Sequence, residues 1–152
     1  MARLYKGFTL VEIMIVVGII LLLAGIAIPN LLRARLSGRE AAASGALRTI
    51  SAAEISYRAT HSSYANLSQL YEDSPPYIDS VLATGNRQGY IFVVNGVNSR
   101  QFFATAEPQF LYQGHSYYTD EDGLLCRSNN VNVSAPTTHI SSGCPSNFTE
   151  IE

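Results

Sequence analysis

One glutamate, Glu12, lies in an otherwise uncharged run of the sequence and is the first residue that needs a chemical explanation. The run begins at Phe8 and reads FTLVEIMIVVGIILLLAGIAIPNLL, and the twenty residues from Ile13 to Leu32 carry no charge. A carboxylate in apolar surroundings is costly unless a cation or hydrogen-bond donors compensate it. Intramembrane carboxylates are usually functional, although one near a helix end can also reach the lipid headgroups. Because this segment supplies no basic residue, Glu12 is expected to find its partner elsewhere.

Two cysteines, Cys126 and Cys144, are the only ones in the chain. In a reducing cytosol such residues are most often free thiols, whereas in an exported domain they are most often joined. The segment between them is polar and has few apolar side chains to hold it against a core. Closing a loop of this size with a disulfide contributes about 3 kcal/mol in the chain-entropy model. The pair is therefore a candidate disulfide whose state depends on the compartment.

An acidic turn, Asp120-Glu121-Asp122-Gly123, is the one cluster that suggests a metal, because grouped carboxylates suit Ca²⁺. The spacing does not match an EF-hand, and a polar hairpin turn explains the same residues without a cation. The three histidines are far apart in the sequence and form no Cys/His zinc pattern. Nucleotide-binding and hydrolase motifs are also missing from the sequence. We expect no metal, no cofactor and no enzymatic activity.

The apolar run that carries Glu12 is long enough to cross a membrane as one helix, since twenty helical residues rise about 30 Å. It is too long for a secretory signal peptide, and no convincing cleavage site follows it. A plain membrane anchor is the simplest alternative. The numbers of Lys and Arg near the two ends of the apolar run mildly favour placing the large domain on the inner side of the membrane. The cysteine pair favours the outer side. The net charge of −2 does not favour nucleic acid as the main partner.

The sequence KGFTLVE followed by a long apolar helix resembles the N-terminus of type IV prepilins and pseudopilins. The resemblance covers the basic leader, Gly7, Phe8, Glu12 and the apolar helix as far as Pro29. It implies that a membrane-embedded prepilin peptidase removes residues 1–7 and methylates the new N-terminus at Phe8. It also implies that Glu12 of an incoming subunit meets the Phe8 amine of its neighbour. At an effective dielectric of 20, charges a few ångströms apart attract by about 4 kcal/mol before desolvation is subtracted.

The same resemblance implies the partners and the location of the chain. The partners are identical subunits in a homopolymer, the prepilin peptidase, the inner-membrane pilus assembly machinery and, before assembly, the inner membrane. The C-terminal domain lies outside that membrane, and the assembled filament is extracellular. The leading hypothesis is a structural subunit of a type IV pilus, serving adhesion, motility, DNA uptake or secretion. A pseudopilin of a type II secretion system or a minor pilin is the nearest alternative, and a membrane-anchored binding domain that never polymerises is another.

Two glycines and a proline interrupt the apolar helix. Gly18 and Gly25 allow close approach of neighbouring helices in lipid. Pro29 lacks a backbone donor and clashes with the preceding turn, so a kink or local melting is expected there. Pilins similar to this chain often lose helical order just before the equivalent proline in the filament. Residues 21–29 are therefore the candidate melting segment, with a kinked helix as the alternative.

Beyond the apolar run, the helix is expected to continue to about residue 60 as an amphipathic segment. Its apolar stripe recurs at spacings of three, four or seven residues: Leu36, Ala43, Leu47, Ile50, Ala53 or Glu54, and Tyr57. Turn-forming residues follow from His61 to Gln88, with one short helix near residues 67–71 that Asn66 caps. Four strand-like segments come next, read as GYIFVVN, RQFFATAE, HSYYT and LLC.

The sequence thus predicts an α+β fold. A long N-terminal helix, transmembrane in its first half and amphipathic in its second, packs on an antiparallel sheet of about four strands, an order similar to type IV pilin architecture. The predicted divisions are a cleaved leader (1–7), a transmembrane and filament-core helix (8–32), its amphipathic continuation (33–60), an αβ-loop (61–88), the sheet (89–128) and a disulfide-bounded C-terminal region (129–152).

Overall fold

The structure, a computed structural model, describes residues 7–110, 114–131, 133–141 and 143–151. The predicted leader lies outside the described residues except for Gly7. The chain divides into two compact units, Met1–Arg35 and Leu36–Glu152, and the second is called the head below. Helix α1, Leu10–His61, supplies the regular structure of the first unit and continues as the first element of the head.

The first unit is an apolar helical segment with no covering layer of its own. Large apolar side chains from Leu10 to Leu32 are all exposed. Within the described part of the chain, α1 is the one helix long and apolar enough to cross a membrane. The helix continues through Pro29. Melting before this proline is expected only in the filament, and it stays a prediction.

The head forms where the amphipathic part of α1 packs on one face of an antiparallel sheet. Leu47 and Ile50 are fully buried, and three alanines at helical spacing let the helix approach the strands closely. The strands contribute to this core Tyr90, Phe92, Ala104, Ala106, Tyr117 and Leu125. The predicted α+β fold, with a long helix packed on a small antiparallel sheet, is therefore confirmed.

The sheet has six strands that follow one another in chain order. They are β1 (Asn86–Arg87), β2 (Tyr90–Asn95), β3 (Phe103–Pro108), β4 (Tyr117–Asp120), β5 (Leu125–Ser128) and β6 (Phe148–Glu150). The predicted number of about four is wrong, because β2 to β5 are the expected strands and β1 and β6 are additional. These two have only two and three residues, too few for an alternating pattern to separate a strand from a loop.

Two short helices connect α1 to the sheet. Helix α2, Leu67–Glu72, begins as the sequence predicts, because the Asn66 side chain accepts the Gln69 N–H and the Gln69 side chain accepts the Asn66 N–H, both at 2.9 Å. Helix α3, Ser80–Ala83, is not predicted from the sequence, since four residues show no helical period.

The opposite face of the sheet carries a second apolar cluster. Its buried members are Phe103, Tyr118, Cys126 and Phe148, and Val133, Ile140 and Cys144 of the C-terminal region pack against them. Cys126 and Cys144 are joined, so the predicted disulfide is confirmed. The C-terminal region therefore covers part of the sheet, and the disulfide fastens that cover to β5.

We expect the Cys126→Ser/Cys144→Ser double variant to lose about 3 kcal/mol of unfolding free energy, because the disulfide closes a loop between residues 18 positions apart. Denaturant unfolding of the detergent-solubilised protein measures this loss. Wild-type protein unfolded in the presence of a thiol reductant is the matched control and should lose a similar amount. An unchanged midpoint in both samples would mean that the second apolar cluster holds the C-terminal region without the bridge.

A hydrogen-bonded contact joins the start of the head's helix to the connection between β3 and β4. Glu40 Oε1 accepts the backbone N–H of His115 at 3.0 Å, and the Tyr90 hydroxyl donates to the His115 carbonyl at 3.1 Å. Gly114 lies between these groups with φ at +148°, and a Cβ on it would overlap the Tyr90 hydroxyl. The contact therefore depends on a residue without a side chain.

The Gly114→Ala variant is expected to lose about 2–4 kcal/mol of unfolding free energy, because backbone strain adds to the clash with Tyr90. Gly123→Ala is the matched control, since Gly123 also has positive φ (+78°) but open space where a Cβ would lie. The control should lose about 1 kcal/mol from strain alone. Thermal unfolding of both variants tests the difference, and equal losses would contradict the role given to Tyr90.

Candidate processing and assembly site

The first turn of α1 is closed by a reciprocal pair of side chains, Thr9 and Glu12. Thr9 Oγ1 accepts the Glu12 N–H at 3.2 Å, and the Thr9 carbonyl accepts the Ile13 N–H at 3.4 Å. Glu12 Oε2 in turn accepts the Thr9 N–H at 2.9 Å and the Thr9 hydroxyl at 2.8 Å. This geometry is a capping box, which satisfies backbone donors that a helix start otherwise leaves unpaired.

The segment around Glu12 therefore supplies hydrogen-bond donors to its carboxylate, which was not expected, whereas the expected cationic partner stays a prediction. The overlooked signal is the spacing T-x-x-E, which is a capping-box signature by itself. A carboxylate in the first helical turn is also favoured by the helix dipole. Of the two carboxylate oxygens of Glu12, Oε2 accepts both hydrogen bonds from Thr9. Oε1 accepts none from the described residues. The capping box thus holds the carboxylate at the helix start through Oε2.

The predicted cleavage residues precede the helix. Gly7 and Phe8 lie outside regular secondary structure, and both are exposed, with Phe8 82% exposed. Phe8 immediately precedes the capping residue Thr9, so a cut after Gly7 would leave an amine two residues before the first helical residue, Leu10. The peptide bond between Gly7 and Phe8 is therefore accessible, and the chain there has no helical hydrogen bonds to break.

The two glycines of the apolar helix have no close neighbours in the described chain. A Cβ added at Gly18 or Gly25 would meet nothing within 4 Å outside the helix backbone. Both positions therefore have open space beside the helix in the described chain.

A second glutamate of α1, Glu54, is fully buried in the head. Its Oε2 accepts the Ala65 N–H at 2.9 Å, and its Oε1 is buried without a partner among the described residues. Burial raises the pKa of this carboxyl to about 7, and the hydrogen bond from Ala65 offsets part of that effect. Glu54 ties the chain that follows α1 back to the helix. The sequence pattern had placed either Ala53 or Glu54 on the apolar stripe of the helix, and an acid at such a position is the feature that could have indicated this site.

The acidic turn connects two layers of the head. Burial raises the pKa of the Asp120 carboxyl, whose Oδ1 accepts the Asp122 N–H at 3.2 Å. Glu121 lies 2.9 Å from His139 Nε2 in the C-terminal region. Within the described ranges, no group of three or more His, Cys, Asp or Glu side chains could hold a metal ion. The carboxylates of Asp120 and Glu121 therefore contact other groups of the head.

Comparison with known proteins points to the same N-terminal segment. Residues 2–28 match the family described as the prokaryotic N-terminal methylation motif. The chain is 25% identical over 126 residues to the type IV wide pilus major component PilA4 of Thermus thermophilus. The aligned region covers 80% of this chain and 96% of that protein. The chain is also 34% identical over 85 residues to the type IV major pilin protein PilA of Myxococcus xanthus. That aligned region covers 56% of this chain and 36% of that protein. These matches confirm the predicted resemblance.

Proposed function

We propose that this chain, which carries an N-terminal methylation motif and is similar to type IV major pilins, is a structural subunit of a type IV pilus. The observation that carries the proposal is the exposure of every large apolar side chain of α1 from Leu10 to Leu32. A helix that is apolar on every side is unfavourable in water, so it must lie in lipid or against other apolar helices. A pilin satisfies both conditions in turn, in the membrane before assembly and in the filament core afterwards.

Processing prepares the subunit for this transfer. A prepilin peptidase cuts between Gly7 and Phe8 and methylates the new amine. Removal of Arg3 and Lys6 with the leader changes the formal side-chain charge from −2 to −4. The new cation at Phe8 then pairs with Glu12 of a neighbouring subunit, whose Oε1 accepts no hydrogen bond from the described part of its own chain. The pair sets the stagger between subunits, and the energy for transfer comes from inner-membrane assembly machinery.

The remaining features of the apolar helix have roles in packing. Gly18 and Gly25 let helices of neighbouring subunits approach closely, since they have open space around them in the single chain. Residues 21–29, before Pro29, are the segment that melts on assembly. The disulfide between Cys126 and Cys144 suits an exported head that faces the outside of the filament.

A secretion pseudopilin shares the leader and the apolar helix, so these features do not separate it from a pilin. The disulfide favours the pilin, because the major pseudopilins that this chain resembles at its N-terminus usually lack one and carry calcium. The match along 96% of a protein named as a major pilus component favours the same reading. Abundance of the chain in filaments sheared from cells distinguishes a major subunit from a minor one.

Mass spectrometry of the mature protein tests the proposal most directly. We expect an N-terminus at N-methylated Phe8 and a mass that lacks residues 1–7. A Gly7→Val variant is the matched control, since a branched side chain at the cut should leave the leader attached and the protein in the membrane. An intact Met1 in the wild-type protein, or a cut elsewhere, would contradict the proposal.

A further inference from the structure

We infer that Glu54 is a proton-controlled latch on the connection between α1 and α2, residues 62–66. While the carboxyl carries a proton, the connection stays closed over it. When the carboxyl ionises, the connection opens locally and admits water, and the sheet and the helix packed on it stay folded. The inference concerns the head alone and does not depend on the proposed function.

The first step is how the connection is held against the helix. The chain leaves α1 through Ser62, whose φ of +59° reverses its direction. The Ala65 N–H then donates to Glu54 Oε2 at 2.9 Å, and the Tyr64 N–H donates to the Asn98 carbonyl at 3.0 Å. Both Tyr64 and Ala65 are buried, and the other three residues of the connection are not. The hydrogen bond to Glu54 is therefore the direct fastening of the connection to α1.

The second step is what an ionised carboxylate would have as partners in the closed state. Glu54 is fully buried, and the Ala65 N–H is the one donor that it has among the described residues. Its other oxygen, Oε1, is buried there without a partner. A buried carboxylate with a single donor is costly, whereas a protonated carboxyl at the same place is neutral. The closed state therefore favours the protonated acid, and burial raises the pKa of Glu54 to about 7.

The third step is whether a cation could stabilise the ionised form in place. Arg58, one helical turn after Glu54, is exposed, and its guanidinium donates to the Tyr64 hydroxyl at 3.0 Å. The other titratable side chains on the neighbouring elements are Tyr57 and His61 of α1, Tyr71, Glu72, Asp73 and Tyr77 after it, Tyr90 and Tyr117 of the sheet, and Arg100 between β2 and β3. Among the described side chains, none contributes a charge effect to the pKa of Glu54. An ionised Glu54 therefore gains most by reaching water.

The fourth step is why the opening is local. Water reaches Oε1 once the segment above it moves, and that segment contributes only Tyr64 and Ala65 to the apolar core. The contact between α1 and the sheet buries many more side chains, among them Leu47, Ile50 and Phe92. Segments with few buried apolar side chains open at a lower free energy than the whole domain unfolds. Opening of residues 62–66 is therefore the least costly response to ionisation.

Hydrogen exchange of the backbone amides tests the latch in the full chain in detergent micelles. Exchange is read residue by residue by NMR at pH 6 and pH 8, with labelling times scaled for the intrinsic effect of pH on exchange. The Ala65 amide reports on the latch, and the amides of β3 report on the sheet. Glu54→Gln is the matched variant that cannot ionise, and Glu54→Met replaces it if circular dichroism shows that the glutamine is not accommodated. Glu72→Gln controls for an exposed carboxyl in α2.

We expect the protection of the Ala65 amide to fall about tenfold between pH 6 and pH 8 in the wild type. The closed state loses its proton around pH 7, whereas the open state has lost it at both pH values. The amides of β3 should keep their protection, Glu54→Gln should show no fall, and Glu72→Gln should match the wild type.

An equal fall at Ala65 and in β3 would overturn the inference, because the head would then unfold as a whole. An unchanged Ala65 amide in the wild type would also overturn it. The same fall in the variant that cannot ionise, or its loss in Glu72→Gln, would place the titrating group elsewhere and would overturn it as well.

Discussion

The Glu12→Gln variant is expected to lose its leader normally and to insert into the membrane, yet to form almost no filaments. Glutamine keeps the size of the side chain and can still accept the two hydrogen bonds from Thr9. It cannot attract the cationic amine of a neighbouring subunit. That attraction amounts to about 4 kcal/mol before desolvation, and losing even 1.4 kcal/mol weakens an association about tenfold. The amount of this protein in sheared filaments should therefore fall by about tenfold or more.

The capping box requires its own control, because Glu12 also stabilises the start of the helix. The Thr9→Val variant removes the hydroxyl of the box and keeps the carboxylate, at a cost of about 1 kcal/mol in helix stability. We expect this variant to assemble, with a reduced yield. Filaments from Glu12→Gln at the wild-type level would mean that the charge is dispensable. A Thr9→Val defect as severe as that of Glu12→Gln would assign the role of Glu12 to capping.

The stability of the head is expected to decrease as the pH rises from about 4.5 to about 7, and Glu54→Gln should remove this decrease. The folded Glu54 has a pKa of about 7, above its ordinary value of 4.5, so between these values the folded state binds a proton that the unfolded state has lost. Its contribution to stability is complete below pH 4.5 and is lost as the pH rises through 7. The difference corresponds to about 3 kcal/mol at most.

Thermal unfolding of the detergent-solubilised protein at pH 5 and pH 8 measures the effect. At pH 8 the Glu54→Gln variant should be more stable than the wild type, because it buries no charge at Oε1. Glu72→Gln, at an exposed site in α2, is the matched control and should follow the wild type at both pH values. If wild type and Glu54→Gln differ equally at both pH values, the carboxyl does not titrate in this range. The guanidinium of Arg58, one helical turn after Glu54, donates a hydrogen bond to the Tyr64 hydroxyl at 3.0 Å.

The two glutamates of α1 show why local sequence explains one site better than the other. The partner of Glu12 in the described chain is three residues away, so the T-x-x-E spacing alone carries the capping box. The partner of Glu54 is the backbone of Ala65, beyond the end of the helix. Nothing local indicates that the chain turns back there, and the periodicity shows only that an acid occupies the apolar stripe.

The sequence by itself determined the parts of this protein that depend on neighbours along the chain. These are the apolar helix, its amphipathic continuation, the Asn66 cap, the four longer strands and the resemblance at the N-terminus. Helical period, strand alternation and capping all act over a few residues, so they can be read directly. Only the tertiary structure decided the strands β1 and β6, the second apolar cluster and the bond between Glu40 and His115. Each of these joins short or distant segments, and their pairing depends on chain closure and burial across the whole head.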